Sequence, residues 1–204
     1  MINEQNTAAG SLPEQKAVSK YGWQIPNSYI ALDLETTGLN PKRDKMIEIG
    51  EVRVEDGAET GRFHTMLNPR RELEERITEL TGIRGDMLEN APDIVDILEE
   101  FLAFCGELPL LGHRIIFDYS FVKRAAVNQG LAFEKNGMDT LTLCRRFMPA
   151  EESKRLGAAC AFYGLAQESA RRALGDALDA HRLYQKLVEK HGAEAPEAFA
   201  AKPL

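Results

Sequence analysis

The stretch YIALDLETTGL, Tyr29 to Leu39, constrains this chain more than any other. It reads as a buried strand, yet Asp33 and Glu35 sit two residues apart within it. Strand side chains alternate between faces, so both carboxylates project to the same side. Two anions there repel, and burying either one alone is costly. A sheet edge with basic neighbours would tolerate the pair, but the strand itself supplies no cation. A divalent-cation site would also tolerate it, because hard cations such as Mg²⁺ take carboxylate oxygens and water as ligands. The TTG turn that follows lets backbone N–H groups approach a ligand closely.

Around this strand the pattern is mixed. Met46–Val54 and Gly61–Leu67 read as two further strands, with Asp56-Gly57 as the hairpin turn between them. Helices follow. APDIVDILEEFLAFCG has Pro92 in its first turn, Asp93 and Asp96 at its positive end, and Gly106 at its close. Leu108–His113 reads as a short apolar strand, and FDYSFVKRAAVNQG, DTLTLCRRFM and RLGAACAFYG read as helices. A long last helix ends at Gly192. The sum is an α/β fold, a mixed sheet flanked by helices. Residues 1–26 read as a polar lead-in, 27–191 as the folded domain and 192–204 as a loose tail.

Net charge is −7. Such a chain is no general binder of phosphate backbones, and contact with nucleic acid requires a basic patch or divalent cations. Cys105, Cys144 and Cys160 are scattered and form no C-x-x-C pair, which speaks against disulfides and structural zinc and fits a reducing, cytoplasmic setting. The first residues carry no basic start and no apolar core, and no apolar run approaches membrane-spanning length, so no membrane partner is expected.

Two more acids stand out. Asp118, in GHRIIFDYSF, falls where a short strand hands over to a helix; an ordinary first-turn or N-cap acid explains it equally well. Asp176, in the last helix, shares a face with Ala180, Leu183 and Leu187, whereas Asp179, Arg182, Lys186 and Glu189 share a polar one. An acid on the buried side needs a partner or a metal; a boundary residue reaching solvent is the alternative.

In order, the four acids give D-x-E … D … D. With ALDLETTGL, ELTGI, GHRIIFDYSF and RALGDALDAHRLY, the chain resembles the DEDD superfamily of 3′–5′ exonucleases, in the group that contains the epsilon proofreading subunit of bacterial DNA polymerase III. The resemblance runs from about Tyr29 to Glu189, and ETTGL favours the proofreading-like group over the oligoribonucleases. It implies a ribonuclease-H-like five-stranded sheet with the opening strand central. It also implies that Asp33, Glu35, Asp118 and Asp176 hold two Mg²⁺ or Mn²⁺ ions. Thr36, Thr37, Gly38 and Leu39 would line the terminal base and sugar, with Leu39 as an apolar wedge. Phe117 matches an aromatic beside the second motif's acid, and core packing explains it equally well. The implied substrate is a single-stranded DNA 3′ end, or RNA, and the product a nucleoside monophosphate. A DNA polymerase is a further partner the resemblance admits, although the short chain after the last helix favours a stand-alone trimming or repair role. A phosphatase or another ribonuclease-H-like nuclease would fit the paired carboxylates but not the threonine turn and the whole ordered set.

One departure matters. The group places a general-base histidine five residues before the last acid; here that position is Arg171. The tyrosine variant places its aromatic four residues before, and here that is Arg172. Arginine stays protonated and cannot take a proton. The sequence therefore leaves open a slow enzyme, a substitute histidine, or an inactive module that binds nucleic-acid ends or a polymerase. Among substitutes, His181 lies about 140° around the helix from Asp176, and His113 reads as a structural strand-end residue. Basic residues in Asn40–Lys45 and Asn68–Arg76, with Lys123 and Arg124, read as solvated surface charge.

Overall fold

A computed structural model describes residues 24–167 and 172–204. The opening strand β1 (Tyr29–Thr36) buries both of its faces. Ile30, Leu32 and Leu34 enter one apolar cluster, and Tyr29 and Ala31 enter another on the opposite side. A strand covered on both sides must lie inside its sheet. β1 is third in a six-stranded sheet completed by β2 (Met46–Glu55), β3 (Ala58–Met66), β4 (Leu110–Gly112), β5 (Asn136–Asp139) and β6 (Lys202–Pro203), in the order β3-β2-β1-β4-β5-β6. β2 and β3 are antiparallel neighbours, β4 and β5 run parallel to β1, and β6 returns antiparallel. The β2–β3 turn is tight because Asp56 (φ 51°) and Gly57 (φ 82°) both take positive φ, the geometry of a two-residue hairpin.

Helices cover the two faces. α1 (Glu75–Thr81) closes a small cluster of Ile47, Ile77, Ile83 and Leu88. α2 (Ile94–Cys105) and α3 (Ile115–Asn128) pack on the face of Ile30 and Leu32. α4 (Thr140–Phe147), α5 (Leu156–Phe162) and α6 (Ala173–His191) pack on the face of Tyr29 and Ala31. This is the ribonuclease-H-like arrangement, with one strand more than the five expected.

The extra strand corrects the expectation of a loose tail. Pro196–Phe199 form a 3₁₀ turn, Phe199 is fully buried, and Lys202–Pro203 pair with Asn136–Gly137. Phe199 stacks on Phe147 and Leu204 packs against the core, so an Ala/Pro-rich segment is ordered by its two large apolar side chains. The expected polar face of α6 is corrected too, since Asp179 is buried against α5, where the Cys160 thiol lies 3.9 Å from its carbonyl. The lead-in expected over residues 1–26 lies mostly outside the described residues. No described helix is long and apolar enough to cross a membrane.

Candidate active site

The acids meet at the C-terminal end of β1. Asp33 and Glu35 project from the face that α6 covers, and Asp176 descends onto them from the first turn of α6. One carboxylate oxygen of each lies within 4.8 Å of the other two. All three residues are half-buried, so the cluster keeps some contact with water. A register shift between Glu35 and Thr36, opposite Glu48 and Met46, turns the chain sharply just past the acids.

Asp118 approaches differently. It is buried in the first turn of α3, and one of its oxygens accepts the Leu34 N–H at 3.1 Å. The β1–β4 register ends at Ala31 and Leu111, so Leu34 has no strand partner on that side. Asp118 thus completes the ladder past the end of β4, and its oxygens are not part of the 4.8 Å cluster. It nevertheless acts on that cluster. Burial pushes the Asp33 carboxyl well above the usual range, and Asp118 is the leading charge that adds to the rise, ahead of Asp176, Glu35 and Glu48. Burial raises Asp118 as well, against the backbone N–H groups that favour its charged form. Asp118 and Asp176 each sit in a helix first turn, where the positive end of the helix dipole offsets part of the repulsion.

This donor set suits a hard divalent cation. Among the described residues it offers three half-buried carboxylates, and the mutual repulsion that raises Asp33 is what a cation would remove.

The threonine turn is held rigid beside the acids. The Thr36 hydroxyl donates to the Gly38 carbonyl at 2.7 Å, and the Thr37 hydroxyl accepts the Lys45 N–H at 3.0 Å. The Arg71 guanidinium reaches across to the same Thr37 hydroxyl, to Asp44 at 3.2 Å and to the Arg43 carbonyl at 3.1 Å. Leu39, at the tip, is 80% exposed, an unusual state for a leucine in a loop this well tied. Phe117 is half-buried against Phe121, with the Arg114 guanidinium 5.9 Å above its ring. Lys123 is taken by an ion pair with Glu134.

Arg171, the residue at the expected base position, lies outside the described residues. The histidines considered as substitutes are both occupied. His113 Nε2 donates to the Lys154 carbonyl at 2.7 Å, Nδ1 faces the Thr140 hydroxyl at 2.9 Å, and burial lowers its pKa. His181 Nδ1 pairs with the Tyr29 hydroxyl at 2.9 Å, in the core. Sequence reasoning passed over Glu48 and His64, which join Arg172 beside the cluster. The signal was present: Glu48 is an acid on an otherwise apolar strand face, as Asp33 and Glu35 are.

A central strand bearing clustered acids is met here by the first turns of two helices on a ribonuclease-H-like sheet. Comparison places the chain further. Residues 30–184 match the RNase T family model, described as an exonuclease, and the chain belongs to that exonuclease family. It is 36% identical over 163 residues to the PolC-type DNA polymerase III of Thermotoga petrophila, covering 79% of this chain and 12% of that protein. It is 31% identical over 167 residues to the DNA polymerase III epsilon subunit of Aquifex aeolicus, covering 81% of this chain and 83% of that one. The chain thus spans only about an eighth of its PolC-type relatives. In fold it is similar to exonuclease X bound to 5′-overhanging duplex DNA, with a TM-score of 0.66 at 21% identity over 84% of this chain and 99% of that one. It is also similar to the nuclease domain of 3′hExo bound to rAMP, with a TM-score of 0.68 at 18% identity over 86% and 96% of the two chains.

Proposed function

We propose that this exonuclease is a metal-dependent 3′–5′ enzyme that removes nucleotides from single-stranded DNA ends, with RNA as a second substrate class. The observation that carries the reading is the convergence of Asp33, Glu35 and Asp176 on the central strand. With Asp118 they would hold two Mg²⁺ or Mn²⁺ ions. Such a pair, when bound, polarises the scissile phosphate, lowers the pKa of water and stabilises the departing 3′ oxygen.

The chain's own residues do the rest. Thr36, Thr37 and Gly38 form a wall whose shape Arg71 and Asp44 fix before substrate arrives. Leu39 offers its exposed side chain to the terminal base, and Phe117 backs the helix that carries Asp118. Stacking and backbone contacts of this kind read little sequence, as suits trimming. Arg171 stays protonated and cannot accept the proton of the attacking water. Loss of a positioned base costs about 10²–10⁴-fold, so the enzyme is slow but not inert. The product is a nucleoside monophosphate. The relatives named as DNA polymerase III chains support DNA replication as the proposed setting and a DNA polymerase as the partner to test; a repair role and a cytoplasmic location are part of the same proposal.

A second reading, a module that binds nucleic-acid ends or a polymerase without cutting, is favoured by Arg171 alone. One assay separates the two: release of mononucleotides from a 3′-labelled single strand with Mn²⁺, using Asp33→Asn as the control for contaminating nuclease. Release that depends on both Mn²⁺ and Asp33 supports the enzyme. Binding of the strand without such release supports the module.

A further inference from the structure

Glu48 is fully buried on β2, on the face of the acid cluster and in register with Glu35. It is met by four donor groups. Arg172 Nε lies 3.0 Å from both carboxylate oxygens, and Arg172 Nη2 lies 2.7 Å from Oε1. The Ala173 N–H donates to Oε2 at 3.2 Å, and His64 Nε2 lies 2.6 Å from Oε1. Ala173 is the first residue of α6, and the residue before it, Arg172, has no side-chain acceptor to cap the helix. A carboxylate from another strand therefore does the work of an N-cap.

The clamp leads directly to the site. The carbonyl of Arg172 accepts the Asp176 N–H at 3.0 Å, so the clamped residue and the site acid share the first turn's hydrogen bond. Gly50, the next residue on this face of β2 and the register partner of Asp33, presses that turn down. A Cβ on Gly50 would stand 2.1 Å from the Leu174 nitrogen and 2.3 Å from the Ala173 carbonyl carbon. These are backbone atoms, which cannot swing aside. The rest of α6 is held by Ala177, Leu178, Leu183, Tyr184 and Leu187 in the core. The Glu48 contacts are thus needed less to keep α6 folded than to set where its first turn ends.

We propose that Glu48, with Arg172 as its countercharge, is a positioning residue that fixes the Asp176 carboxylate against Asp33 and Glu35 for cation binding. This rests on the reading of that cluster as a cation site. Neither Glu48 nor Arg172 is asked to touch substrate.

The test compares Glu48→Gln, Arg172→Gln and the double variant with wild type. Mn²⁺ affinity is read from the electron paramagnetic resonance signal of free Mn²⁺, and hydrogen exchange of the amides in 173–177 is read on the metal-free protein. Loss of a residue that orients a metal ligand costs 10- to 100-fold in affinity as a rule. Each single variant is expected to weaken Mn²⁺ binding by about tenfold or more and to speed exchange in that turn. The double variant should be no worse than the poorer single one, since both break one contact. Glu51→Gln, on the opposite face of the same strand, should leave Mn²⁺ affinity unchanged. An affinity within about twofold of wild type in either single variant, with or without a fall in Tm, overturns the proposal. Should Glu48→Gln fail to fold, Arg172→Gln decides alone, because its side chain is 36% exposed and leaves no large void. A wild type that binds Mn²⁺ through Asp33 yet releases no nucleotide sinks the nuclease reading while the affinity shifts still judge the clamp. A wild type that binds no Mn²⁺ overturns both.

Discussion

Glu48 and Glu51 stand three residues apart on β2, both withdrawn from water, on opposite faces of the sheet. Burial pushes Glu48 up, but the hydrogen bonds of Arg172 and His64 outweigh it and hold the carboxyl below the ordinary glutamate value. Glu51 has no such company. Its Oε1 takes the Cys105 thiol at 3.0 Å, its Oε2 has no hydrogen-bond partner among the described residues, and burial pushes it up to about 8. One acid is kept charged by a guanidinium and the other is kept neutral by a proton. In the cluster beside Glu48, carboxylates face one another, and burial together with the charges of Asp118, Asp176, Glu35 and Glu48 raises the Asp33 carboxyl. A doubly charged cation among these oxygens would relieve that repulsion.

The contrast would break most completely at Asp33. Asp33→Asn should reduce metal-dependent nucleotide release to the level seen without metal. In the metal-free protein it should also raise Tm by a few degrees, because one repelling charge is gone. Lower stability in calorimetry with chelator present would mean that Asp33 is structurally paired after all. Five residues before Asp176 in the sequence, Arg171→His should raise turnover by roughly tenfold or more if the missing base limits the rate. Unchanged turnover in a single-turnover assay would move the limiting step elsewhere.

On the opposite face the effect is smaller and lies in pH. The folded-state pKa of Glu51 is above its unfolded value of 4.5, so the native state holds the extra proton between the two. Stability from this group is therefore fully present below about 4.5 and is lost as pH rises through about 8. Thermal melts with chelator should show wild type losing Tm from pH 5 to pH 8 and Glu51→Gln losing less, by a few degrees. Parallel curves would mean that Glu51 is ionised in the fold. The smallest effect is expected at Leu39: Leu39→Ala should raise KM for a single strand by roughly two- to fivefold and leave Tm unmoved, since so exposed a side chain packs on nothing. A Tm loss of several degrees would show that Leu39 serves the fold.

The fold class and the meeting of three acids were legible in the sequence, while β5 and Glu48 were not. Asp33 and Glu35 were legible because period-two alternation puts them on one buried face, and Asp176 because helical spacing set it among Ala180, Leu183 and Leu187. Asp118 was ambiguous in sequence and has two aspects in the structure, a ladder-completing contact to Leu34 and a strong charge on Asp33. β5 escaped notice because Asn136-Gly137 reads as a turn, and only its neighbours β4 and β6 make it a strand. Glu48 escaped because β2 was read for its apolar pattern, while the partners that define its role, Arg172 and His64, come from distant segments.

The central claim is that doubly charged cations complete the acid cluster at the end of β1. Anomalous diffraction from a manganese-soaked crystal tests it most directly. The account expects two peaks roughly 3.5–4 Å apart, ligated among Asp33, Glu35, Asp118 and Asp176. A soaked crystal with manganese bound elsewhere and none at Asp33 would contradict it.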